Sequence, residues 1–151
     1  MTTTVTTTLD EPTTRRDATP GQRLLTALAS RDFATIEGLL TDDVWLRALL
    51  PRHLDERYGA GEATRAFRTW FGAAEDLEVL RSDHTTIVGK NRVTYRFSLR
   101  PDWAPETRHV IEQTAILSVV DGRIRKIDLV CSGFLPAAEE AVVSPNAVSA
   151  R

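Results

Sequence analysis

Hydrophobic spacing changes period once along the chain. From Thr19 to Phe71 apolar residues return every three or four positions, and from Leu77 to Cys131 they tend to alternate. Thr19-Pro20 predicts a helix start, a hydroxyl cap followed by proline at the first helical position. Leu24, Leu25 and Leu28 follow at helical spacing. Asp32 is the expected cap of a second, short helix carrying Phe33, Ile36, Leu39 and Leu40 on one side. Val44 to Leu50, bracketed by Asp42-Asp43 and Pro51, reads as a strand. A third helix is expected from about Gly61 to Phe71, with Ala63, Ala66, Phe67 and Trp70 on one stripe and Gly72 as its stop.

The second half reads as strands. Leu77 to Val88 ends at a Gly89-Lys90-Asn91 turn. Arg92 to Arg100 alternates cleanly, with Val93, Tyr95, Phe97 and Leu99 on one face. After the Pro101–Glu106 loop, Ile111 to Cys131 predicts a hairpin around Asp121-Gly122. A three-residue Val120-Asp121-Gly122 loop would set Gln113 opposite Leu129, Ala115 opposite Ile127 and Ile111 opposite Cys131. That register gathers Glu112, Thr114, Lys126 and Asp128 on the other side, and a coherent buried face is what selects register. Helices first and a one-faced curled antiparallel sheet afterwards make an α+β layout. Three short helices do not fill the concavity of a long bent sheet, so an internal apolar cavity is expected.

Composition narrows the function classes. At 151 residues with 42% apolar content, the chain suits one globular domain. A net charge of −2 argues against nucleic acid or an anionic membrane bound by bulk charge. The single cysteine forms no internal disulfide and fits a reducing, cytoplasmic setting. No apolar run is long enough for a membrane helix. Nine of the first twenty residues are threonine, so residues 1–18 are expected to be a disordered tail. The domain is expected over 19–135, with 136–151 as a loose tail.

Three stretches carry a resemblance: Leu39 to Val44, the Tyr58-Gly-Ala-Gly-Glu-Ala63 turn leading to Phe67, and Val119 to Ile124. In this order they resemble the nuclear-transport-factor-2-like superfamily, and most closely its SnoaL-like branch. Leu46 to Pro51 and Leu129 to Phe134 look like a sub-branch with no established reaction. The resemblance implies a cone, a strongly curved sheet wrapped around helices, with an apolar cavity opening at the wide end. It also implies a homodimer through the outer sheet face. Superfamily members include polyketide cyclases, ketosteroid isomerases and epoxide hydrolases, beside binding modules without chemistry, so fold does not decide function. Where the isomerases place a base, this chain has Ala48, and no inward pair of carboxylates is found in the last three strands.

The candidate chemistry is therefore a small polar set on an apolar wall. Gln113 would orient a ligand carbonyl or hydroxyl, Tyr95 would donate to a developing oxyanion, and His109 would relay a proton. The bland alternative for Gln113 is a core amide bonded to Tyr95 or to backbone. Tyr58, His53, Trp70, Phe97, Ile111, Leu129 and Cys131 are the expected ligand-contacting residues, and Trp103 a candidate lid. No metal-ligand spacing and no nucleotide fingerprint occurs, so neither metal nor cofactor is expected. The expected function is a cofactor-independent cyclase or isomerase acting on a hydrophobic, oxygenated small molecule. The alternative is a non-catalytic ligand-binding or dimerisation module. An inward acid beside Gln113, with Asp83 and Glu56 as candidates, would favour the enzyme, and its absence the module.

Overall fold

The computed structural model describes residues 18–137; the expected tails, 1–18 and 136–151, fall almost wholly outside that range. Among these described residues, three helices and seven strands follow in the order α1 (Pro20–Ser30), α2 (Phe33–Leu39), β1 (Leu40–Leu49), β2 (Leu54–Tyr58), α3 (Ala60–Phe71), β3 (Glu75–Ile87), β4 (Lys90–Arg100), β5 (His109–Val120), β6 (Arg123–Cys131) and β7 (Leu135–Pro136). The layout is the expected α+β. Among the described residues no helix is long and apolar enough to cross a membrane.

The helix starts follow their local chemistry. Thr19 Oγ1 accepts the Gln22 N–H at 3.1 Å, and Gln22 Oε1 accepts the Thr19 N–H at 2.9 Å, a reciprocal cap on α1. Asn91 Oδ1 takes the Gly21 N–H at 2.9 Å and ties this helix end to β4. Asp32 caps α2 through the Thr35 N–H, as its position predicts.

Six strands form one path, β2-β1-β6-β5-β4-β3, and β7 adds to β5 beyond the end of β6. The expectation of a purely antiparallel sheet needs correction, because β1 runs parallel to β6. The chain leaves the β1–β2 hairpin through α3 and enters the β3–β6 meander at the far edge, and such a crossover permits parallel pairing. Strand β2, which no sequence pattern indicated, pairs antiparallel with β1 at the other edge.

The β5–β6 register also differs from the expected one. Val120 pairs with Arg123 across a two-residue Asp121-Gly122 loop whose φ angles are 51° and 78°, as a type I′ turn requires. Val119 then pairs with Ile124 but Ser118 with Lys126, so Arg125 is an extra, bulged residue. The bulge restores the buried face that the tight loop would have inverted. Gln113 consequently faces Cys131 rather than Leu129, and Ala115 faces Leu129. Ile111 faces Phe97 on β4.

The interior of the cone is filled by aromatic rings. Phe71 meets Phe97 edge-on at 5.4 Å between centroids, and Tyr95 stacks on Phe97 at 5.1 Å. Phe67 and Trp70 of α3 extend the cluster at 5.3 Å. Leu24, Leu28, Ile36, Leu46 and Leu117 close the remaining space. The outer face carries exposed Leu49, Leu54, Val130 and Leu135, the surface to which the homodimer expectation refers.

Candidate ligand site at the mouth of the cone

Register brings three polar side chains into line. Tyr95 on β4, Gln113 on β5 and Cys131 on β6 are directly opposite one another across neighbouring strands, all on the concave face. The Tyr95 hydroxyl donates to Gln113 Oε1. Gln113 Nε2 donates to Cys131 Sγ at 3.3 Å, and the Gly133 backbone N–H reaches the same sulfur at 3.3 Å. A phenol has one proton to give, and here it goes to the glutamine. Gln113 is 0% exposed and Tyr95 1%, so both are buried. Burial, with a smaller contribution from Cys131, holds the Tyr95 hydroxyl well above the ordinary phenol range. Both polar groups are thus satisfied within the core.

Several expected wall residues are packed in the same way. Phe97, Ile111 and Leu129 are buried in the aromatic and aliphatic core and do not line the recess at the mouth of the cone. Among the described residues, open space lies at the mouth of the cone. A recess of about 320 Å³ opens there, lined by Leu50, Pro51, Arg52 and His53 from the β1–β2 turn. Trp70 of α3 and Cys131, Gly133 and Phe134, at and after the end of β6, complete it. Its exposed lining surface is apolar. Trp70, His53 and Cys131 were expected at a ligand; Leu50, Pro51, Arg52, Gly133 and Phe134 were not.

Two chain reversals make this recess. Leu50 N–H donates to His53 O at 2.9 Å, closing β1 onto β2 around Pro51-Arg52. Gly133, with φ of 80°, turns the chain out of β6. A Cβ on Gly133 would lie 2.7 Å from Pro51 Cγ, so the two reversals touch at a point where only glycine fits. The sequence signal was present in the two stretches ending at Pro51 and Phe134, whose tips meet here.

Tyr58 is elsewhere, contrary to expectation. It pairs with Trp45 on the outer face of β1, stacks on it at 5.9 Å and is 64% exposed. Trp45 also carries Lys126 Nζ at 4.3 Å over its ring, and its indole N–H donates to Glu56 at 3.0 Å. His109 is buried on the concave face at the start of β5. Its Nδ1 lies 2.9 Å from Thr107 O; a carbonyl can only accept, so Nδ1 carries a proton. Trp103 packs edge-on against His109 at 4.9 Å and against Phe134 at 5.9 Å, bridging the histidine to the recess wall.

Neither candidate acid accompanies Gln113. Asp83 pairs with Arg81 on β3, exposed, and Glu56 serves Trp45 outside. Asp55 shares the face of Ala48, yet both its oxygens are held by Arg57, at 3.0 and 3.2 Å. The buried polar residues among those described are Thr64, Asn91, Ser98, His109 and Gln113, with no carboxylate. Among the described residues no three His, Cys, Asp or Glu side chains converge to hold a metal. On the outer face Arg96 pairs with Glu112 at 2.7 Å, as cross-strand neighbours of opposite charge should.

The chain belongs to the SnoaL-like domain family, whose model matches residues 22–127. Solved structures share the fold. A protein of unknown function with a cystatin-like fold from Xanthomonas campestris aligns with a TM-score of 0.60 and 16% identity, over 75% of this chain and 88% of that one. An LEH-like epoxide hydrolase from M. tuberculosis aligns with a TM-score of 0.56 and 18% identity, over 75% and 80%. A steroid delta-isomerase from Pseudomonas aeruginosa aligns with a TM-score of 0.50 and 21% identity, over 70% and 72%. At such identities the likeness is one of fold. No curated protein matches the chain.

Proposed function

We propose that this domain binds an apolar small molecule in the recess at the mouth of its cone, as a ligand-binding module. The observation that carries the reading is the apolar recess between Trp70, Phe134 and the β1–β2 turn, with no carboxylate beside Gln113 among the described residues. General acid–base work at neutral pH needs a titratable group poised near the reacting atoms. Tyr95 and Gln113 are instead bonded to each other, and His109 does not line the recess but packs against Trp103.

A cofactor-independent cyclase or isomerase is the second reading. It is favoured by the row of hydrogen bonds that begins at Cys131 in the recess wall and runs inward through Gln113 to Tyr95. Such an enzyme would act by holding a flexible substrate near its reactive geometry, with this row fixing one wall.

A thermal-shift titration with apolar ring compounds bearing a carbonyl, hydroxyl or epoxide, followed by mass analysis of the recovered compound, separates the two. A ligand that binds only the folded chain stabilises it by about 2.7 kcal/mol at a hundredfold excess over its dissociation constant. We expect a concentration-dependent rise in midpoint with the compound recovered unchanged. Recovery of a rearranged product would establish the second reading, and a flat midpoint across the panel would count against both.

A further inference from the structure

We propose that the mouth of the cone rests on an uncharged lipid surface, from which the recess takes its apolar ligand. This rests on the mouth recess being the ligand site. Leu49, Leu54, Val130, Leu135 and Trp103 are large, apolar and between 40% and 63% exposed. The first four form an unbroken row across the outer face. Leu49 pairs with Leu54 on one side and with Val130 on the other, and Val130 and Leu135 line one shallow depression beside Val110. Exposed apolar side chains scattered singly are ordinary, whereas a contiguous set marks a surface that meets something apolar.

The position of the row decides what it meets. Each member is the chain neighbour of a recess residue: Leu49 of Leu50, Leu54 of His53, Val130 of Cys131 and Leu135 of Phe134. Trp103, in the loop before β5, packs against Phe134 at 5.9 Å. The row therefore follows the rim of the opening, and a surface that touches both it and Trp103 lies across the opening. A fluid surface there leaves the ligand free to pass, whereas a folded partner would block it. The exposed lining of the recess is apolar, so a molecule that suits it is sparingly soluble in water and collects in lipid. The row carries no charge, which fits contact through apolar area and not through the bulk charge of a chain at −2. An exposed tryptophan at the rim suits the boundary between headgroups and acyl chains.

The test is sedimentation of the full chain with phosphatidylcholine vesicles, combined with tryptophan quenching by brominated acyl chains. A thermal-shift titration with 2-naphthol in water runs in parallel. Vesicle binding should not weaken between about 0.1 and 1 M salt, because screening acts on charge. Trp103→Phe should remove most of the quenching. Leu54→Asp/Leu135→Asp should lower partitioning at least about tenfold, since a charged side chain is costly where an apolar one is favoured. Val88→Asp/Val120→Asp adds the same charge at the opposite end of the sheet and should leave partitioning unchanged. A retained response to 2-naphthol shows that each variant is folded. If 2-naphthol raises the midpoint while the vesicles sediment without the chain, the lipid proposal is overturned and the recess stands. The proposal falls equally if Leu54→Asp/Leu135→Asp binds vesicles as wild type does, or if that pair converts a dimer to a monomer in sedimentation velocity, which assigns the row to a second copy. No response of the wild type to 2-naphthol removes the recess as the ligand site, and delivery from lipid with it.

Discussion

Gly133→Ala should destabilise the domain by about 2–4 kcal/mol in urea denaturation, one of the larger losses open to a single added methyl group. Two separate costs combine. Gly133 has φ of 80°, where a side chain strains the backbone, and its new Cβ would meet Pro51 Cγ at 2.7 Å. Gly89 offers an internal control, because its φ is 69° but no atom lies within 4 Å of its would-be Cβ. Gly89→Ala should cost only the backbone share, about 1 kcal/mol. In a Pro51→Ala background, where the offending Cγ is gone, Gly133→Ala should fall toward the Gly89 value. Equal costs at Gly133 and Gly89 in the wild-type background would mean that the two reversals do not press on each other.

Gln113→Leu is expected to cost about 1–3 kcal/mol, for a different reason. Leucine approximates the glutamine in volume but leaves the buried Tyr95 hydroxyl with no acceptor and removes a donor from Cys131. The penalty belongs to the stranded partner rather than to the lost bond. Tyr95→Phe together with Gln113→Leu should therefore recover most of the loss, since removing both partners can be nearly neutral. Residues in direct contact are where additivity fails, so the double-mutant cycle should show a clear coupling energy. If Gln113→Leu alone raised stability, the amide would not be satisfied in the core, and the reading of Tyr95 and Gln113 as a closed pair would be wrong.

Much of the fold was legible because local chemistry and burial agreed. Thr19-Pro20 and Asp32 marked helix starts through groups that must satisfy free N–H donors, and both caps are present. The alternation of Val93, Tyr95, Phe97 and Leu99 fixed one face of β4, since a period of two leaves no other assignment. The β5–β6 hairpin was half legible. Its faces followed from alternation, but the Arg125 bulge that sets its pairing was not anticipated. Its trace in the sequence is the spacing of Ile124 and Ile127, both buried three residues apart in a strand, which a regular strand does not allow.

What stayed hidden was long-range. Nothing local announces that β1 will lie parallel to β6, since that depends on where the crossover through α3 returns the chain. Tyr58 was placed at the mouth by its position after the first strand, but its pairing with Trp45 turns it outward. Helix count alone understates how much of the cone is filled: Phe67, Phe71, Tyr95 and Phe97 converge from α3 and β4 onto one volume. Gln113 was correctly put on the concave wall, and its pairing with Tyr95 was foreseen as the bland alternative. Only the register, shifted by the bulge, made Cys131 its second partner. Arg52 and Phe134 lie in turns with no periodicity, and their meeting depends on Gly133 touching Pro51.

The proposed ligand site lies at the mouth of the cone and not in its interior. Crystals soaked with 6-bromo-2-naphthol test it most directly, because bromine gives an anomalous signal that locates the probe without interpretation of weak density. A single peak is expected between Trp70 and Phe134, with Tyr95 still bonded to Gln113. A peak inside the cone, against Gln113, Phe97 and Ile111, would contradict it.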